Sequence, residues 1–331
     1  MDNPKLKTPK APEGWQGTPV DEKGRFRNLN HPFEAKLMDV FRWKFQKNPF
    51  KEEKKAERWN PVVMKDDSWM DGSDDVIVWL GHCTFYIRID GMRLLTDPVF
   101  GDIFTIKRQT AFPLDVHRLV NLDYILLSHD HRDHLDEKSL QILSAQNPDV
   151  RYLTGLGMQS IVYHFTKSDN IEEAGWYQQY SATNITFIPS RHWSKRGAFD
   201  TNQRLWGGFV IESGAKRILF GGDSGYDTHY KQLTAVFGGF DYAILGIGAY
   251  EPVWFMSSNH QSPSDALKAA KELNARYFIP MHYATFDLSD EPLGQPLKDL
   301  HVAAGNDESV KVLTIGEVFK PVFGAYSKKP V

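Results

Sequence analysis

The sequence predicts an α/β domain whose loops converge on a metal site. Three observations lead there. Short apolar runs of strand length recur from Val76 onward, helix-capping patterns punctuate them, and several runs end in a loop carrying His or Asp. Strands laid side by side bring such loops to one rim.

Taken in order, residues 1–22 are polar and rich in Lys and Pro, and read as a flexible or loosely docked arm. They hold no apolar signal core. Residues 23–70 read as an N-terminal extension packed on the core, and residues 71–331 as the main domain. Within the extension, Phe33, Leu37, Met38, Phe41 and Phe45 recur at roughly helical spacing, among Lys36, Arg42, Lys44 and Lys47. Two readings are open: a helix packed on its own domain, or a basic amphipathic helix that touches lipid. Lys51 to Arg58 is a charged, solvated stretch.

Val76–Leu80 and Thr84–Ile89 read as strands. Asp90-Gly91 is a strong hairpin signal, and Met92–Thr96 is the return strand. Tyr124–Leu127 is a short buried strand, after which Asp136 caps a helix over Glu137–Gln146. Ile185–Ile188 leads into Pro189-Ser190-Arg191-His192-Trp193. Trp206–Glu212 and Arg217–Phe220 flank Ser213-Gly214 and form a second hairpin, which ends in Gly221-Gly222-Asp223-Ser224-Gly225. Tyr242–Ile247 is apolar again. Ser262-Pro263-Ser264-Asp265 has a capping box with Pro at the first helical position, opening a helix to about Asn274. The last strand, Tyr277–Met281, ends at His282.

Composition narrows the classes. The chain has 331 residues, 41% of them hydrophobic, which supports a sizeable core. A formal net charge of -3 argues against a nucleic-acid partner held by bulk charge. The single Cys, Cys83, precludes an intrachain disulfide and reads as a small core residue. No apolar run reaches the roughly 18 residues of a spanning helix. The expected location is cytoplasmic, with peripheral membrane contact allowed.

His129-Asp130-His131-Arg132-Asp133-His134 carries the chemistry: five of its six side chains can ligate metal. Histidines two apart in an extended segment share a side. Without an ion, this many ionisable groups at the end of a buried strand would be poorly solvated. Four loops supply seven candidate ligands: His129, His131, Asp133, His134, His192, Asp223 and His282. With Asp223 as a bridge, His129, His131 and His192 hold one ion, and Asp133, His134 and His282 hold the other. Zinc suits this set, with iron or manganese as alternatives. Two ions about 3.5–4 Å apart share a water, and the resulting hydroxide is the expected nucleophile.

The His129–His134 signature, followed in order by His192, Asp223 and His282, resembles the metallo-β-lactamase superfamily. The resemblance implies an αββα sandwich with a dinuclear site at one edge. It narrows further along. Trp79-Leu80-Gly81-His82, Leu95-Thr96-Asp97-Pro98, Gly222 to Tyr226, and Ile247-Gly248-Ala249-Tyr250-Glu251-Pro252 are similar to the N-acylphosphatidylethanolamine-hydrolysing phospholipase D branch. Trp254-Phe255-Met256, His260 with Pro263, and Gly24-Arg25-Phe26 with Asn28 extend the likeness. It implies a zinc-dependent phosphodiesterase acting on a phospholipid, with Asp133 and His260 as catalytic side chains, and it allows a homodimer. Val253 stands where the branch carries Arg, which removes a contact to an anionic substrate; Tyr283 and Cys83 also depart from its pattern. A hydrolase of a soluble substrate (a sugar-phosphate lactone, a cyclic nucleotide or another phosphodiester) and a non-catalytic metal sensor are the rival readings. His82 reads as a supporting residue, and Asp97 as a carboxylate orienting a metal histidine. Tyr250, Trp254, Phe255 and Met256 fit either an acyl-chain groove or ordinary core. His31, His117, His164, His229 and His301 receive no role.

Overall fold

The computed structural model describes residues 1–32 and 37–324. Among them, two sheets form. The first has seven strands in the order β12-β1-β2-β3-β4-β5-β6: β1 Val76–Gly81, β2 Thr84–Ile89, β3 Met92–Thr96, β4 Tyr124–Leu127, β5 Arg151–Gly155, β6 Ile171–Ala174 and β12 Val318–Phe319. The second has five, in the order β11-β10-β9-β8-β7: β7 Ile185–Ile188, β8 Gly208–Ser213, β9 Lys216–Phe220, β10 Phe240–Gly246 and β11 Ala275–Met281. The helices are α1 Leu37–Phe45, α2 Lys51–Ala56, α3 Glu137–Gln146, α4 Gln159–Thr166, α5 His229–Phe237, α6 Val253–Met256, α7 Pro263–Glu272 and α8 Gln295–Ala304.

Alternation along the strands sorts side chains into layers. Ile77, Trp79, Phe85 and Ile87 point between the sheets and share a core with Phe209, Ile211, Ile218 and Phe220. Their neighbours Val78 and Tyr86 join Leu95, Ile125 and Leu127 on the opposite face, against Leu140 and Leu143 of α3 and Val162 and Phe165 of α4. Leu233 of α5, Ala266 and Ala269 of α7 and Leu300 of α8 belong to the larger core on the side of the second sheet. The architecture is therefore an αββα sandwich. Both faces of β1 and β2 are covered, which is why neither strand has an exposed position.

The local signals explain the turns and caps. Asp90 and Gly91 both have positive φ, 48° and 82°, as a two-residue hairpin turn requires. Asp136 accepts from the Ser139 amide, and Ser262 from the Asp265 amide, so both helices start at their capping side chains.

The N-terminal segment, read as a flexible or loosely docked arm, lies docked on the domain. Asn3 Nδ2 donates to the Glu173 carbonyl at 2.7 Å, and the Gln178 amide side chain exchanges bonds with Asn3. Leu6, Ala11 and Trp15 pack on the main core. These apolar residues, scattered among Lys and Pro, give the segment enough buried surface to dock.

The extension splits in two. Phe26 is buried in the core, whereas α2 buries no residue and α1 exposes Met38, Phe41 and Phe45. The packed-helix reading of these phenylalanines is thus corrected: α1 attaches instead through Trp43, whose ring stacks on Phe255 and whose Nε1 donates to Asp290 at 3.0 Å. Phe33, the first residue of that reading, lies outside the described residues. Among those described, no helix is long and apolar enough to cross a membrane.

Candidate metal centre

Strand direction gathers the ligands. β7 and β9 both run antiparallel to β8, and β9, β10 and β11 run parallel, so β7, β9 and β11 end on the same edge. His192, Asp223 and His282 follow those three ends, and His129 follows β4 of the other sheet. Gly222 makes the bend before Asp223 with φ 59°, and a Cβ there would stand 2.4 Å from the Gly207 carbonyl oxygen.

All seven predicted ligands meet at this edge. Three histidine ring atoms form one group: His129 Nε2 and His192 Nε2 lie 2.9 and 3.1 Å from His131 Nδ1. Asp133, His134, Asp223 and His282 form the other. Asp223 Oδ2 sits between the groups, 3.1 Å from both His134 Nε2 and His282 Nε2, 4.0 Å from His129 Nε2 and 3.9 Å from His192 Nε2. One carboxylate oxygen thus faces both halves of the site.

The residues around the ligands fix which ring nitrogen is free. Ser128 Oγ donates to Asp97 Oδ2 at 2.6 Å, so it is left to accept from His129 Nδ1 at 2.9 Å. His134 Nδ1 donates to Asp97 Oδ2 at 2.8 Å, and His192 Nδ1 to the Asn259 carbonyl at 3.0 Å. His129 and His192 then point an unprotonated Nε2 inward, as a ligand must, and His134, its Nδ1 committed to Asp97, turns Nε2 toward Asp223, which, against burial and together with Asp133, raises its pKa well above the usual imidazole range. His134 Nε2, His282 Nε2 and Asp223 Oδ1 are buried with no hydrogen-bond partner. An ion held between them would complete these atoms.

Electrostatics agree. Burial, then the neighbouring rings, hold His129 and His192 well below the usual imidazole range, so both are neutral. Burial also opposes ionisation of Asp223, yet His134 and His282 hold its carboxyl well below the usual range. Burial lowers His282, but Asp223 and Asp133 push it up to about 9. The paired carboxylates therefore call for positive charge between them, which a divalent ion supplies in place of protons.

Supporting residues complete the picture. His82 Nε2 lies 3.2 Å from Asp133 Oδ2 and its ring packs against His282. Three non-glycine residues here, His82, Asp97 and His282, have φ of 52°, 32° and 62°, a left-handed backbone that proteins tolerate mainly at functional sites. Cys83 is buried, with its thiol pushed up by that burial, so it packs rather than reacts. Buried Asp130 accepts from the Lys195 amide and from Arg204, tying the His129 and His192 loops together. Replacing Asp97 by Asn should weaken zinc affinity roughly 10–100-fold, read by competition with a chromogenic chelator, because His134 loses its carboxylate acceptor.

The site opens into a cavity of about 820 Å³. His260 lines it, with Nδ1 3.7 Å from Asp223 Oδ2 and its ring against His192 and His282. Trp254, Phe255 and Met256 also line it; Tyr250 instead bonds Asp299 at 2.5 Å. Two residues of the N-terminal extension contribute here that sequence reasoning gave no part in the site, Asn28 having been named for the likeness alone. Asn28 Oδ1 accepts from the His192 amide and Nδ2 donates to the His192 carbonyl. His31, given no role, lines the cavity and bonds Asp227 at 2.9 Å. Only its distance in sequence hid it.

The Beta-lactamase superfamily domain matches residues 92–283. The chain belongs to the metallo-β-lactamase superfamily. It is a metal-dependent hydrolase of that superfamily and resembles one of its branches. The N-acyl-phosphatidylethanolamine-hydrolyzing phospholipase D 1 of Caenorhabditis elegans is 32% identical over 266 residues, 73% of this chain and 74% of that protein. The mitochondrial N-acyl-phosphatidylethanolamine-hydrolyzing phospholipase D of Saccharomyces cerevisiae is 35% identical over 240 residues, 68% of this chain but only 51% of that protein. Among solved structures, one described as a possible metal-dependent hydrolase from Veillonella parvula superposes with a TM-score of 0.60 at 13% identity, covering 75% of this chain and 99% of that one. An isothiocyanate hydrolase from Delia radicum gut bacteria superposes with a TM-score of 0.59 at 17% identity, covering 76% of this chain and all (100%) of that one. At these identities the superpositions establish the fold alone.

Proposed function

We propose that this hydrolase is a zinc-dependent phosphodiesterase, a phospholipase D acting on N-acylphosphatidylethanolamine-like phospholipids. The observation that carries this reading is the cavity. Its lining brings Asp133, Asp223 and His260 together with an apolar stretch formed by Val40 and Trp43 of α1 and Trp254, Phe255 and Met256. A volume of about 820 Å³ accommodates a headgroup and the start of an acyl chain. The two relatives named for this activity support the same substrate class.

Two divalent ions held by the ligand set would lower the pKa of a shared water toward about 7 and offset charge on a phosphoryl oxygen. The chain's own groups do the rest. Asp133 lines the cavity and can orient the attacking water by accepting its hydrogen bond. Water oxygen bonds to phosphorus, the bond from phosphorus to the N-acylethanolamine oxygen breaks, and that oxygen takes up a proton. His260, on the cavity wall, is placed to hydrogen-bond the departing oxygen. The apolar stretch keeps water from the acyl chain.

Zinc-loaded protein in neutral mixed micelles should release phosphatidate and N-acylethanolamine, lose turnover to a chelator and regain it with zinc. Diacylglycerol or free fatty acid as product would refute the bond assignment. Turnover confined to lactones or cyclic nucleotides would favour a soluble substrate.

A lipid substrate calls for membrane contact. Met38, Phe41 and Phe45 are 74%, 56% and 85% exposed on α1, beside Arg42 and Lys44, and Trp254 is 39% exposed nearby. Each Lys or Arg near an anionic surface contributes about 1 kcal/mol of attraction. Exchange of Phe41 and Phe45 for Ser should weaken binding to phosphatidylserine vesicles while changing stability by no more than about 0.5 kcal/mol per residue, as for exposed positions. Unaltered vesicle binding in the double variant would remove α1 from the contact.

A further inference from the structure

The cavity carries more positive charge than its metal ligands account for. Arg132, Arg191 and Lys195 all line it, and among the described residues none lies in an ion pair. Arg132 has only a ring beneath it, that of Phe104, 5.5 Å from its guanidinium carbon. Arg191 is held in place: its amide donates to Ser224 Oγ, and Nη1 donates to the Tyr226 carbonyl at 3.1 Å. Lys195 is fixed through its amide, which donates to Asp130, while its ammonium has no bonded partner among the described residues. Beside them Arg196 donates to the carbonyls of Asp130 and Leu135, and burial, followed by the like charge of Arg132, lowers its pKa. Against these cations the cavity sets Asp39 and the two site carboxylates, Asp133 and Asp223. Like charges gathered on one cavity and held in no ion pair repel one another, and an anionic ligand relieves that repulsion.

A single phosphodiester bears one negative charge, and two divalent ions already meet it. Resting on the phosphodiesterase reading, we infer that Arg132, Arg191 and Lys195 bind a second anionic group on the substrate, and that the enzyme selects phosphodiesters carrying a carboxylate or phosphate besides the scissile one. Val253, after Glu251-Pro252, is 54% exposed and outside the cavity lining, so that loop brings no cation to it. The cations here come instead from the His129–His134 loop and the His192 loop. A guanidinium on each loop suits bidentate recognition of a planar carboxylate or of a phosphate.

N-acylphosphatidylserine and N-acylphosphatidylethanolamine form a matched pair, because they differ by one headgroup carboxylate and N-acylation removes the amine charge from both. The test compares kcat/KM for the two in neutral detergent micelles at equal mole fraction. The parent protein should prefer the serine lipid by about tenfold, mainly through KM, with the preference shrinking as salt is raised. Arg191→Gln should bring the ratio close to one, and Arg191→Lys should restore part of it. Arg132→Gln repeats the test at an exposed side chain that makes no hydrogen bond or ion pair among the described residues, and its melting temperature should match the parent's. Zinc content and hydrolysis of bis(4-nitrophenyl) phosphate are measured alongside. A ratio of one or less in a parent protein that cleaves these diesters overturns the inference alone, as does a preference that survives both glutamine variants. Failure to cleave any phosphodiester overturns the phosphodiesterase reading, and the inference falls with it.

Discussion

Replacing Asp223 by Ala should strip the protein of both ions. Elemental analysis after zinc loading should fall from about two ions per chain to fewer than one. Turnover should drop by more than the roughly 10–100-fold that loss of an outer partner costs. The reason is geometric: among the described residues Asp223 Oδ2 is the one carboxylate oxygen that faces both groups, within 3.1 Å of His134 and His282 and about 4 Å of His129 and His192. His192→Ala, by contrast, removes a ring from one group only and should spare the ion held by Asp133, His134 and His282. An Asp223→Ala protein that retains two ions would refute the bridging assignment. A parent protein that never binds more than one would refute the dinuclear site.

His260→Ala should keep both ions and lose roughly 10²–10⁴-fold in turnover. The ring lines the cavity, and its Nδ1 is 3.7 Å from Asp223 Oδ2, farther than His134 or His282. Burial lowers its pKa to about 4, so near neutral pH it meets the substrate as a neutral imidazole that donates one hydrogen bond. Retained turnover would remove His260 from the mechanism. Loss of an ion would make it a ligand, since His192, Asp223 and His260 also lie close enough together to hold a metal.

The local part of the fold was legible. Asp90-Gly91, Asp136 and Ser262 act through backbone and side-chain groups a few residues away, so the signals for turn and caps were complete in sequence. Two of the segments that were missed carry weak local pattern. β6 reads Ile171-Glu172-Glu173-Ala174 and is held by pairing to β5, while α2 reads as a charged stretch and buries nothing. The two phenylalanines of α1 follow a core-like period, yet the helix is anchored by Trp43 and leaves them in solvent. Periodicity specifies one apolar face; it does not specify what covers that face.

The sequence by itself determined the ligand chemistry. Four of the ligands lie within six residues, and the other three each follow a strand-length apolar run, so their kind and order needed no contact information. Tertiary structure alone decided three things. It set Asp223 between the two groups, because β9 and β11 end on one edge of a sheet whose strand directions no local pattern fixes. It brought Asn28 onto His192 across 164 residues, a hydrogen-bonded pair that depends on where the extension docks. It also set Arg132, Arg191 and Lys195 on one cavity outside any ion pair among the described residues, since whether a charge is paired depends on every chain segment folded around it.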